Sequence, residues 1–147
     1  MENIIKFTIT KEDVTVFNRM YFTEHPRSEK APIQGPQHPS INEYMNMNKF
    51  ARNRQKLMWH KFIIDFLEQR GLTNMGIKKC NIIYRTFFKD NRRHDLDNIT
   101  PKFILDAFVA AGFIEDDDMY HIASLTIEAD KDKKNPRMEF IIEVLKA

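Results

Sequence analysis

The stretch Arg92–Asp118, RRHDLDNITPKFILDAFVAAGFIEDDD, constrains the fold more than any other part of the chain. Phe103, Ile104, Ala107, Phe108 and Ala111 recur at intervals of three and four, the spacing of one apolar helix face. Thr100 is placed as its N-cap, Pro101 as its first residue and Gly112 as its stop. A helix this apolar on one side has to be buried, and its small alanines permit close approach to a sheet. Two acidic clusters, Asp95/Asp97 and Glu115 to Asp118, bracket it. Burial therefore carries both clusters, and Lys102 near the helix start, to the edge of one core. Carboxylates gathered beside an apolar element point to a bound divalent cation.

The 147 residues, 42% of them hydrophobic, suit a single domain over 1–147 with one core. A formal charge of +2 is too small to identify a nucleic-acid binder, so any attraction to a polyanion must come from local clustering. Cys80 is the only cysteine, which excludes an intramolecular disulfide and a Cys-rich zinc site and suits a reducing compartment. The start Met1–Ile5 lacks the basic and apolar run of a signal peptide, and no run of about 18 apolar residues follows. The expectation is a cytoplasmic protein without membrane contact.

Residues 3–10 read as a strand, and residues 14–22 as either another strand or a helical turn. The run from His25 to Pro39 holds four prolines and a glycine, which predicts a long loop, a candidate flap if it lies near the site. From Glu43 to Arg70 one long helix is expected, with Ser40 or Asn42 as cap and Gly71 as stop. Tyr44, Met47, Ala51, Met58, Phe62 and Phe66 form its apolar stripe. Its other faces carry Lys49, Arg52, Arg54 and Lys56, either a solvated surface or a set of phosphate contacts. Residues 78–89 predict a strand that runs into the first acidic pair. Residues 119–129 and 137–145 predict two more strands, most simply a hairpin. The fold class expected is α/β of the α+β type: a mixed sheet of about four or five strands packed with two main helices.

Oxygen ligands suit Mg²⁺ or Mn²⁺, and Asp95, Asp97 and one member of the second cluster would supply them. An isolated Asp-x-Asp-Asn before a helix has a second reading, capping of that helix. Lys102 likewise has two: an (i, i+4) pair with Asp106, or an ammonium that stabilises phosphate charge beside a metal. None of the five histidines shows HxxxH or HExxH spacing, and no phosphate-cradling glycine loop occurs. Arg85, Lys89, Arg92 and Arg93 lead into Asp95. Cations flanking a metal-binding centre are the arrangement expected for phosphodiester chemistry on a polyanion.

At these residues the chain resembles the RusA-like endodeoxyribonucleases, Holliday junction resolvases of bacteria, prophages and phages. The resemblance is carried by Arg93-His94-Asp95-Leu96-Asp97-Asn98, Lys102, Leu105-Asp106-Ala107, Ala111-Gly112-Phe113 and Asp116-Asp117, with Pro39-Ser40-x-Asn42 outside this block. It implies that Asp95, Asp97 and Asp117 bind metal, with Asp116 the rival for the third place, and that Lys102 is the catalytic lysine. It also implies a homodimer that nicks a four-way DNA junction in the presence of Mg²⁺. Lys102 follows the second aspartate by five residues where the family pattern has four, and residues 1–38 add a strand and a proline-rich loop. Lys49, Arg52, Arg54, Arg92 and Arg93 are the candidate DNA contacts. The alternatives are a nuclease for flaps or other branched DNA, and a non-catalytic binder of branched DNA.

Overall fold

A computed structural model describes residues 3–146. Its elements in chain order are β1 (Ile4–Thr10), α1 (Lys11–Glu24), α2 (Ile41–Asn46), α3 (Lys49–Gln69), β2 (Cys80–Phe88), α4 (Lys102–Ala110), β3 (Ile122–Lys131) and β4 (Arg137–Val144). The strands form one mixed sheet in the order β1-β4-β2-β3, and the long helices cover one of its faces, an α+β arrangement.

The segment left open between strand and helical turn is helix α1. The charged run after β1 does not simply end a strand; it is the first helical turn. Thr10 Oγ1 accepts from the Asp13 N–H at 3.2 Å, and Asp13 Oδ2 accepts from the Thr10 N–H at 2.8 Å, a complete capping box. Val14, Phe17 and Tyr21 then fall on one buried face, and Phe17 meets Phe62 of α3 at 5.2 Å between ring centres.

The single long helix expected from 43 to 70 is broken. Ser40 and Glu43 form a capping box for α2, Met47 is extended, and Asn48 caps α3 by accepting from the Ala51 N–H at 2.8 Å. No proline or glycine marks this break. The asparagine competes for the helix backbone with its own side chain, and Arg52 donates to the carbonyls of Tyr44 and Met47, both at 3.2 Å, tying the two helices together. The face of α3 toward the sheet is Trp59, Phe62, Ile63, Phe66 and Leu67. The helix ends where expected: Gly71 has φ +69°, Leu72 N–H bonds Leu67 O, and Gly71 N–H bonds Glu68 O.

The expected hairpin of the last two strands does not form. β3 and β4 lie on opposite sides of β2, β3 parallel to it and β4 antiparallel. Met138, Phe140 and Ile142 are fully buried, which requires a central strand, whereas β3 is mostly exposed and suits an edge. β4 is thus central in the sheet and is flanked by β1 and β2. The parallel β2–β3 pair needs a crossover, and α4 with its flanking loops supplies it.

Phe7, Phe140 and Tyr84 sit side by side across β1, β4 and β2, with ring centres 5.4 and 5.0 Å apart. Phe66, Phe108 and Phe113 cover them from the helix layer. Such aromatic pairs contribute about 0.5–1.5 kcal/mol each beyond area burial.

Candidate functional site

The β2 register fixes where the acidic groups lie. Asp95 and Asp97 follow the Phe88 end of β2, whereas Glu115 to Asp118 precede β3, whose first residue Ile122 pairs with Cys80 at the other end. Helix α4 links the two clusters in the chain. Lys102 opens it near His38, and Asp106, one turn on, meets Asp117.

At the Phe88 end, Asp95 and Asp97 are both exposed, Asp97 within a 3-10 turn over Leu96–Asn98. Asp95 Oδ1 accepts from Arg93 Nε at 3.3 Å. His94 stacks on Phe88 with ring centres 3.6 Å apart and planes within 5°, and it bonds Asp90 at 2.9 Å. That bond holds the Asp90 carboxyl below its usual range. Asn98 Oδ1 accepts from the Asn42 N–H at 2.9 Å, docking this segment on the start of α2.

His38 was not singled out from sequence, and it is the polar anchor of this end. It is buried, its Nε2 accepts from the Phe103 N–H at 2.9 Å, and its Nδ1 lies 2.7 Å from the Pro39 carbonyl. Donation to that carbonyl fixes the proton on Nδ1 and leaves Nε2 to satisfy a backbone donor in the first turn of α4. Burial pushes its pKa down to about 4, with the Lys102 charge adding to the effect. The expected Thr100 cap is displaced by one residue: Pro101 occupies the cap position, and Thr100 Oγ1 accepts from the Lys102 N–H at 3.2 Å. Only a run ending His-Pro hinted at His38, because its partner lies 65 residues away.

The proline-rich loop is near the site and is tied to the fold by its hydrogen bonds. Asn18 exchanges two hydrogen bonds with the backbone of Ile33, which is fully buried, and Gln37 donates to Phe87 O at 2.7 Å. Loop, α2, α3 and β2 enclose a cleft of about 470 Å³ whose lining includes Asp95. Lys30 and Arg54 contribute cations to this lining.

At the other end, the Asp117 carboxyl is pushed above its usual range by burial, then by Asp106 and Asp116 beside it. Asp118 is engaged in its own turn. It accepts from the Tyr120 and His121 N–H groups and lies 2.6 Å from His121 Nδ1. That contact lowers the Asp118 pKa and raises that of His121. Among the described residues, the acidic or histidine ligand atoms that lie within 4.8 Å of one another in a group of three belong to Asp116, Asp118 and His121. Asp95, Asp97 and Asp117 are not brought together in that way.

Of the candidate DNA contacts, Lys49 is exposed on the first turn of α3. Arg92 and Arg93 are also exposed, the first 3.6 Å from Asp90. Arg54 reaches the Tyr21 hydroxyl at 3.3 Å and is otherwise exposed. Arg52 has a structural role: besides its two carbonyl bonds, its guanidinium lies 4.5 Å from the centre of the Tyr44 ring. Among the described residues no helix is long and apolar enough to cross a membrane.

No protein-family model matches the sequence, and no curated protein matches it significantly. The reading of the site therefore rests on its own chemistry and on the motif resemblance.

Proposed function

We propose that the protein is a Mg²⁺-dependent endonuclease acting on four-way or otherwise branched DNA. The observation that carries this reading is Asp95 in the lining of a cleft that also holds Lys30 and Arg54, with Asp97 two residues on and Lys102 at the start of α4. Anionic ligands set among cations are what a phosphodiester and its metal require together. The crowding of Asp106, Asp116 and Asp117 adds support, because a cation relieves it.

The donor chemistry fits the ion: all the candidates are carboxylates, and Mg²⁺ commonly takes one or two of them and keeps several waters. Asp95 and Asp97, with Asp117 or its rival Asp116 as the third, are the residues that would hold Mg²⁺, or Mn²⁺ in its place. When bound, the ion supplies Lewis-acid stabilisation and an activated water. The chain itself supplies the Lys102 ammonium, which stabilises charge on the phosphate, and Lys49, Arg54, Arg92 and Arg93, which neutralise backbone phosphates. A homodimer follows from the two-fold symmetry of a junction cut in two strands, and the cytoplasm from the location of such a substrate.

The test is incubation with labelled four-way, flap and linear duplex DNA, with and without Mg²⁺. Metal-dependent nicking confined to branched substrates is the expected result; no nicking of any of them would overturn the reading. A non-catalytic binder is the second reading, favoured by the Arg93–Asp95 contact, which lets this carboxylate sit near phosphate without a metal.

A further inference from the structure

The cleft beside Asp95 has features that metal chemistry does not use. Its volume of about 470 Å³ falls within the roughly 300–1,000 Å³ of small-ligand sites. Thr86 and Tyr84 line it from β2, and the Thr86 side chain is 1% exposed with the Tyr84 hydroxyl as the one polar group beside its Oγ1. Two hydroxyls that satisfy at most one bond between them leave donor and acceptor capacity for a ligand in the cleft.

The groups around Thr86 are of one kind. Asn98 uses its carbonyl on Asn42 and keeps its NH₂ group, while Gln37 uses its NH₂ group on Phe87 and keeps its carbonyl. Gln55, half-buried on α3, adds a further carboxamide. One donor, one acceptor and groups able to serve as either match the edge of a nucleobase. The stacked Phe88 and His94 rings line the same cleft and offer a flat apolar wall. Lys30 and Arg54 are the cations available to a phosphate.

We infer that this cleft receives one unpaired nucleotide of a DNA strand, its base against Thr86 and the carboxamides and its phosphate at the side of Lys30, Arg54 and Asp95. The inference rests on the reading of the protein as acting on branched DNA, in which unpaired nucleotides are available at the branch. It assigns to the cleft the discrimination between branched and fully paired substrates, because a base inside a duplex cannot enter.

The experiment uses the full chain and short single-stranded oligonucleotides with a central nucleotide that is normal, 2-aminopurine or abasic. The normal oligonucleotide is expected to bind about tenfold more tightly than the abasic one, the scale of one base stacked on an aromatic wall. 2-Aminopurine should show a saturable change in emission. Thr86→Val and Gln55→Leu should each shrink the preference for base over abasic, with melting temperature checked for both. Equal affinity for normal and abasic oligonucleotides, or a preference unchanged in both variants, would overturn the inference. Junction cleavage with Mg²⁺ is measured in parallel. Cleavage without base preference removes the nucleotide pocket and leaves the nuclease reading standing. Base preference without cleavage keeps the pocket and removes the nuclease reading.

Discussion

The two ends of β2 hold carboxylates in opposite ways. Around Asp95 the supporting bonds join distant parts of the chain: Gln37 to Phe87, His38 to Phe103, and Asn42 to Asn98. Around Asp118 the carboxylate's own bonds are local, to Tyr120 and His121, while the backbone beside it is tied to β2 and the segment before it, Glu115 N–H to Ile77 O at 2.8 Å and Cys80 N–H to His121 O at 2.9 Å. An end held by remote segments is fixed by the whole fold and can keep an exposed carboxylate in one place. The local bonds account for Asp118 alone, whereas Asp117 keeps a raised pKa beside Asp106 and Asp116. The comparison favours the Asp95 end as the working one, with Asp117 as the member of the second cluster that reaches α4.

The largest effect should separate these ends by activity. Asp95→Asn and Asp97→Asn are expected to lower Mg²⁺-dependent cleavage by a factor on the order of 10² or more while melting temperature stays nearly constant, because both side chains are exposed. Full cleavage by either variant, measured on a four-way junction, would remove the metal role. Asp118→Asn should leave most of the activity in place.

Asp117→Asn makes a sharper demand. The raised carboxyl pKa means that its ionised form is disfavoured in the folded state, so stability falls as pH rises through that value and returns below it. Without Mg²⁺ at neutral pH the substitution is therefore expected to raise the melting temperature and, if Asp117 binds metal, to abolish cleavage. A lowered melting temperature would show that the carboxylate is a structural acceptor.

His38 gives the next effect. Its folded pKa of about 4 lies below the ordinary 6.5, so the unfolded chain binds the proton first. Stability is complete above pH 6.5 and declines as pH falls toward 4, by on the order of 3 kcal/mol. Denaturation midpoints of wild type and His38→Gln across that range check it, since the variant should lose most of this slope.

The smallest effects concern the arginines. Arg54→Ala should reduce the salt slope of DNA binding by about 0.9 without loss of stability. Arg52→Ala should cost about 1–2 kcal/mol of stability through its lost carbonyl bonds. Equal behaviour of the two variants would show that the α3 face acts as one surface.

Much of this was legible where local rules act alone. Period-two and period-three-four patterns marked β1, β2 and α4, and the glycines at 71 and 112 closed their helices because only they take positive φ cheaply there. At Gly112 the space is also closed, since a Cβ would stand 2.9 Å from Asn74 Oδ1. What the sequence concealed depends on remote partners. The break at Met47 is held by Arg52, the placement of β4 between β1 and β2 follows from burial of Met138, Phe140 and Ile142, and His38 finds its acceptor role only when α4 arrives. The acidic motif named its residues but not the meeting of Asp117 with Asp106 of α4.

The position of β4 also sets the order of events during synthesis. Among the described residues β1 has β4 as its one neighbour in the sheet, and the two strands pair residues more than 125 positions apart in sequence. Until residues 137–144 emerge from the ribosome, Phe7 and Ile9 have no strand to lie against, and Tyr84 lacks the ring it stacks on. The sheet therefore closes late and by long-range search, a slow step that leaves an apolar first strand exposed on the nascent chain.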